Sequence, residues 1–344
     1  MTLSVIIISH NQREQVKRCI ESVLSQELPF EYEIVISDDA STDGTWELEL
    51  DYAAKYLFIK VYQCNSNDCN PSYGSERSGH NRSNAYRHAS GKYFCHIDGD
   101  DYYRPGSSCL KEMVALLEEH PECSICMQNG WVLKDGASIE EGTPFYQEYR
   151  FSTGQVLTAK EYLQSGLFVN NGAMMMRRNA AENPADLYHK WYVDSVITAH
   201  HLQFGSIVCL DTADWVYVQY SDSITSSIAS LDCAFLWNLD SSLLLSVLVP
   251  SLSPYYYASI DNRKSLLDTV RLILKKEHFN ISHSAEAFFS QFPKIFLFRL
   301  IASRKLPFID RVRVEVLKRY LKYLSGILNP GGSKLQLVDF LCKF

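Results

Sequence analysis

The sequence predicts an α/β fold, a mostly parallel sheet covered by helices, followed by a region that reads helical almost throughout. Three observations carry that expectation. Ser4-Val-Ile-Ile-Ile-Ser9 is a continuous, largely β-branched run, as in strands buried on both faces. Strand-like and helix-like segments then alternate to about residue 125, and repeated β-α-β builds a parallel sheet. Finally, three strand-like runs end in polar residues: His10-Asn11, Asp38-Asp39, and Asp98 to Asp101.

Taken in order, Asn11 is placed to cap a helix in which Val16, Ile20, Val23 and Leu24 recur at helical spacing and which Pro29 stops. Tyr32 to Ser37 reads as a second strand running into Asp38-Asp39. Ser41-Thr-Asp-Gly44 turns into a helix from about Thr45, and Leu57 to Gln63 is a third strand. The polar stretch Cys64 to Ser78 reads as a loop, and a short helix from Asn81 to Ala89 follows. The strand Tyr93 to Ile97 delivers the acidic cluster, and Ser108 to His120 is helical. Lys134 to Thr153 is polar and bears glycines, so it reads as a mobile loop. A helix around Asp194 to Phe204 and a strand Ser206 to Tyr220 close a first domain, residues 1–228. Residues 229–344 form a second, helical and basic region.

Composition narrows the function classes. The 344 residues carry a net charge of -7, and from Arg263 onward 16 Lys and Arg stand against 6 Asp and Glu. An acidic body of that kind repels phosphate backbones, which excludes nucleic acid as a partner. The ten cysteines are scattered, mostly in apolar runs, and read as reduced, buried thiols. Cys123 and Cys126 have CxxC spacing without a second ligand pair. No signal-peptide pattern opens the sequence and no apolar run is long enough to span a bilayer, so a cytoplasmic location is expected.

The chemistry concentrates in FCHIDGDDYY, residues 94–103. Three carboxylates within four residues repel one another unless a positive group sits among them. Carboxylate oxygens suit Mg²⁺ or Mn²⁺, ions that bind one or two carboxylates together with substrate phosphates. Gly99 lets the chain turn sharply between Asp98 and Asp100. A solvated Asp-Gly turn is the plain alternative. The apolar strand feeding the cluster and the earlier Asp38-Asp39 pair weigh against it.

SVIIISHN, EIVISDDASTDGT and ASGKYFCHIDGDDYYRP, in this order and spacing, resemble the N-terminal half of the family 2 glycosyltransferases. The similarity is clear over residues 3–125 and followable to about 226. It implies a GT-A fold, a nucleotide-sugar donor (a UDP-sugar), and a divalent cation, Mn²⁺ or Mg²⁺. It further implies that Asp38 and Asp39 form the nucleotide-binding Asp pair, whose second member, Asp39, hydrogen-bonds the base, that Asp98 approaches the ribose or the metal, and that Asp100 coordinates the metal. Ser9 and Asn11 fall where the first strand touches the nucleoside. Arg82 matches a basic position that contacts the diphosphate, with a surface arginine as the alternative; Ser83 follows it where the family has Asn. Asp194 falls where members carry the catalytic carboxylate, although as an Asp at a helix start it is also a good cap. Val193 and Tyr220 depart from the pattern, Tyr220 standing where many members have a His.

The implied reaction is inverting transfer of a sugar to a hydroxyl of a glycan or lipid-linked saccharide in surface-polysaccharide assembly. A catalytically inactive nucleotide-sugar-binding or scaffold protein is the competing class. A nucleotidyltransferase would need a Gly-rich, basic phosphate loop, and Ser9-His-Asn-Gln is neither. In the tail, residues 294–305 and 311–323 mix Lys and Arg with apolar residues at helical spacing. Two readings stay open: a peripheral contact with an anionic membrane surface, or a helical subdomain packed on the catalytic one.

Overall fold

The computed structural model describes residues 1–65, 74–147, 149–165, 167, 169–178 and 194–220. The helical region expected at 229–344, its membrane-facing reading, the domain boundary near 228, and Val193 lie outside the described residues.

Strand β1 (Leu3–Ser9) is central, with β2 (Tyr32–Asp39) on one side and β4 (Tyr93–Asp98) on the other, both parallel to it. β3 (Ile59–Cys64) extends that edge in parallel beyond β2. Every residue of β1 is buried, as its unbroken apolar run requires. Full burial of each Val or Ile contributes about 1.5–3 kcal/mol. Helices α1 (Arg13–Leu24), α2 (Thr45–Lys55) and α3 (Gly74–His88) fill the crossovers. α1 packs against α2, and α3 against β1, β2 and β3.

The second half makes the sheet mixed. The two-residue strand β5 (Tyr102–Tyr103) precedes α4 (Cys109–Glu119) and the long β6 (Cys123–Lys134). Short strands β7 (Thr143–Pro144) and β8 (Val156–Leu157), helix α5 (Ala159–Ser165) and β9 (Met174–Arg177) follow. Helix α6 (Asp194–His201) leads into β10 (Ser206–Gln219). β9 lies antiparallel between β4 and β6, and β10 pairs in parallel with β6, giving the order β3-β2-β1-β4-β9-β6-β10-β5. β4, β6 and β10 therefore end on the same rim as β1 and β2, and β9 begins there.

Three expectations need correction. Asn11 does not cap α1: its backbone sits at φ 52°, and Gln12 is the cap. The helix's first amides are met from the β2–α2 turn instead, Gln12 N donating to Thr45 Oγ1 (2.9 Å) and Arg13 N to Asp43 Oδ2 (3.3 Å). α3 begins seven residues before the expected Asn81. Nor is 134–153 a bare loop, since β7 pairs with β6 and Tyr146 and Phe151 are buried. The aromatics of that stretch carry apolar area that its polar composition masked. Among the described residues Cys19, Cys64, Cys95, Cys109, Cys123, Cys126 and Cys209 are buried free thiols, as the cysteine pattern led one to expect. Among the described residues no helix is long and apolar enough to cross a membrane.

Candidate active site

Parallel pairing brings the strand ends together. Ser9 stands opposite Asp38, and Ile8 opposite Asp98, so residues far apart in sequence lie on adjacent strands. Carboxyl ends of strands in such sheets are where ligands bind. Two non-glycine residues of the described chain adopt positive φ, Asn11 and Ala40, each at 52° and each just past one of these strand ends. Such conformations cost energy and collect at functional sites.

Asp38, Asp39 and Ser9 are buried. Asp38 accepts from the Ser41 amide (2.9 Å), and the Asp39 carboxylate takes an ion pair from Arg77 of α3 (2.9 Å). Ser9 Oγ lies 2.6 Å from Glu49 Oε1 and 3.4 Å from Asp38 Oδ2. Asn11 ties the two loops together: its Oδ1 accepts from Thr42 N and its own amide donates to Ser41 Oγ, both at 2.8 Å.

In the acidic cluster the three carboxylates separate by role. Asp98 is the exposed member, its side chain 43% accessible. Its partner is Arg82, which is 1% exposed and donates to Asp98 Oδ1. Arg82 is therefore not a surface arginine; it brings a positive charge beneath the cluster. A Cβ at Gly99 would fall 2.7 Å from the Ile8 carbonyl oxygen, so this turn admits only glycine. Burial and then the Asp98 charge push Asp100 up to about 7, against the pull of Arg18 and Arg82. Arg18 of α1 donates to the Asp100 carbonyl (3.2 Å) and the Tyr220 hydroxyl (2.9 Å), its guanidinium 4.3 Å from the centre of the Tyr102 ring. Tyr220 thus stands at the acidic turn. Asp98 and Asp100 offer a hard, oxygen-only donor set, which fits Mg²⁺ or Mn²⁺.

Asp101 faces the other way. Its side chain is buried and accepts from Trp215 Nε1 and from the Val218 amide, both at 3.1 Å. It fastens the turn to β10. The Trp215 indole needs Gly172 beneath it, since a Cβ there would lie 2.2 Å from Nε1. We expect Asp101→Ala to cost about 1–3 kcal/mol for each buried donor it orphans. A fall in melting temperature well beyond that of Asp100→Ala would bear this out; equal falls would refute the division of roles.

Asp194 opens α6 on the same rim. Its Oδ1 accepts from the Nδ2 of buried Asn171 (2.7 Å), which lies just before β9. Asp194 thus combines a helix-start position with a hydrogen bond from a separate segment. Sequence reasoning missed Arg18, Arg77, Glu49 and Asn171. They carry no local pattern, because their partners lie on other elements.

Residues 4–183 match the model of "Glycosyl transferase family 2". An uncharacterised protein of Mycobacterium tuberculosis is 27% identical over 229 residues, 65% of this chain and 61% of its own length. Poly(ribitol-phosphate) beta-N-acetylglucosaminyltransferase TarS of Staphylococcus aureus is 32% identical over 121 residues, 35% of this chain and 19% of its own. An Escherichia coli glucosyltransferase acting on alpha-D-GlcNAc-diphosphoundecaprenol, WfaP, is 33% identical over 101 residues, 29% of this chain and 36% of its own. The chain thus spans only part of these relatives, at most about three fifths. The crystal structure of S. aureus TarS 1–349 with UDP-GlcNAc superposes with a TM-score of 0.52 at 17% identity, over 86% of this chain and 83% of that one. At that identity the likeness establishes the fold.

Proposed function

The chain belongs to glycosyl transferase family 2, and from that premise we propose that it transfers a sugar from a UDP-sugar to a hydroxyl of a glycan or lipid-linked saccharide, with inversion and with a divalent cation. The observation that carries this reading is the meeting of Ser9, Asp38 and Asp39 with Asp98 and Asp100 on adjacent strand ends. The relatives' substrates, a poly(ribitol-phosphate) chain and a diphosphoundecaprenol-linked sugar, support the acceptor class.

In this mechanism Asp39 holds the base, with Asp38 beside it in the nucleotide site and Arg77 fixing the Asp39 carboxylate. Ser9 and Asn11 line the nucleoside end. Asp98 and Asp100 would hold the cation and line the ribose–diphosphate side, and Arg82 orients Asp98 from below. When bound there, a divalent cation would supply Lewis-acid stabilisation for charge on the leaving nucleoside diphosphate. Arg82 and Arg18 add positive charge around the same turn. Asn171 aims the Asp194 carboxylate. Asp194 accepts the acceptor hydroxyl's proton as that oxygen attacks the anomeric carbon from the face opposite the leaving group.

The test is UDP release from a panel of UDP-sugars, with Mn²⁺, with Mg²⁺ and with EDTA. Cation-dependent release with at least one sugar is expected. Binding of UDP without turnover of any sugar, even with a saccharide acceptor supplied, would favour the scaffold alternative.

A further inference from the structure

Glu49 has no part in the mechanism above, yet it is among the most completely buried charged side chains of the described chain. It projects from the second turn of α2 toward β1, and Ser9 Oγ stands between its Oε1 (2.6 Å) and Asp38 Oδ2 (3.4 Å). A serine hydroxyl owns one proton. With both carboxyl groups ionised, one of the two oxygen–oxygen contacts would face lone pair to lone pair and repel. A second proton on one of the carboxyl groups satisfies both contacts. Asp38 already accepts from the Ser41 amide. Among the described residues Glu49 accepts no backbone hydrogen bond, and its buried Oε2 has no hydrogen-bond partner.

We propose, resting on the donor-site reading above, that Glu49 is a positioning residue for the nucleobase end of that site. In its neutral form it donates a hydrogen bond to Ser9 Oγ, which donates its own to Asp38. The sequence of donors fixes the Asp38 carboxylate at the β2 end. Glu49 touches no substrate in this scheme; it acts through Ser9.

The electrostatic surroundings agree. Burial pushes Glu49 up to about 8; the Ser9 bond pulls it down, and Asp38 and Asp43 push it further up. Those two acids, from β2 and from the β2–α2 turn, are the charged groups facing it. Arg13 of α1 packs against Gly44, and among the described residues no Lys or Arg forms an ion pair with Glu49. Glu33, the other buried glutamate of the described residues, makes the contrast. Burial would raise it too, but bonds from Lys60, Ser90 and Ser4 carry it down to about 2. Glu33 is held as an anion and Glu49 as an acid.

The sign for Glu49 follows. A carboxyl group whose folded pKa lies above its unfolded one stabilises the fold below the unfolded value. That contribution is lost as pH rises from about 4.5 to about 8. Glutamine copies the neutral acid: its amide can donate to Ser9 Oγ at any pH. The test therefore compares wild type, Glu49→Gln and Glu49→Ala, using UDP with Mn²⁺ as probe and two readouts, melting temperature and UDP affinity. Relative to Glu49→Gln, the wild type should lose melting temperature as pH rises from about 4.5 to about 8, and UDP affinity as pH rises through about 8. The two proteins share every other titrating group. Glu49→Ala should bind UDP roughly fivefold to tenfold more weakly than Glu49→Gln at every pH, and than the wild type below about pH 7, the loss of about one hydrogen bond. Parallel pH profiles for wild type and Glu49→Gln, or undiminished affinity in a folded Glu49→Ala, would overturn the assignment alone. Absence of UDP binding by all three proteins at every pH would overturn the donor-site reading, and this assignment with it.

Discussion

Asp194→Asn is expected to bind the donor as the wild type does and to transfer sugar about 10²- to 10⁴-fold more slowly, the usual weight of a positioned general base. Asparagine keeps the shape of aspartate, and its Oδ1 can still accept from Asn171 Nδ2, the bond that now holds Asp194 at 2.7 Å. It can still cap the start of α6 as well. What it lacks is a basic oxygen. Steady-state kinetics beside UDP binding separate the two effects: kcat falls while donor affinity stays. Near-normal turnover would remove Asp194 from the reaction. A fall in melting temperature matching the fall in rate would instead make it the helix cap that its position also permits.

Asp100→Asn should abolish cation-stimulated transfer, by about 10²-fold or more, while leaving the protein at least as stable as the wild type near neutral pH. The loss is that of Lewis-acid stabilisation on the leaving group. Stability should hold for a separate reason. Burial and the Asp98 carboxylate raise Asp100 to about 7, so the wild type loses stability as pH climbs from the unfolded value of 3.8 toward 7. An uncharged amide removes that loss. The measurement is activity across a Mn²⁺ titration together with a melting curve at pH 7.5. Retained cation stimulation would exclude Asp100 as a ligand, whereas a large drop in stability would make it structural, as Asp101 is.

These two variants also show what could be read from the chain in advance. The β1, β2 and β4 strands were legible because their apolar runs are continuous, and their parallel pairing follows from the intervening helices. Once those strands are parallel neighbours, Ser9, Asp38 and Asp98 must share one rim. The division between Asp98 and Asp100 on one hand and Asp101 on the other was legible only in outline. It took Trp215 and Val218, more than a hundred residues downstream, to show what Asp101 holds. Arg82 was visible as a basic position, but its burial beneath Asp98 was not, since the helical pattern around it is polar. Glu49 and Arg18 sit in amphipathic helices among other charged residues. Nothing in their spacing separates a buried acid or a site-facing guanidinium from an ordinary solvated one. The same limit explains α1: its amide partners Thr45 and Asp43 come from another loop, and Asn11 is the only residue with local capping chemistry just ahead of the helix.

The central claim is that two carboxylate clusters, brought together by strand pairing, form one site for a nucleoside diphosphate and a divalent cation. Melting curves with UDP, with Mn²⁺, and with both test it most directly, because ligands that bind only the native state stabilise it by mass action. UDP and Mn²⁺ together should raise the melting temperature by several degrees and by more than the sum of their separate effects. That gain should shrink sharply in both Asp39→Asn and Asp100→Asn. A wild type that melts at the same temperature with UDP and Mn²⁺ as without them would contradict the claim, as would an undiminished gain in those two variants.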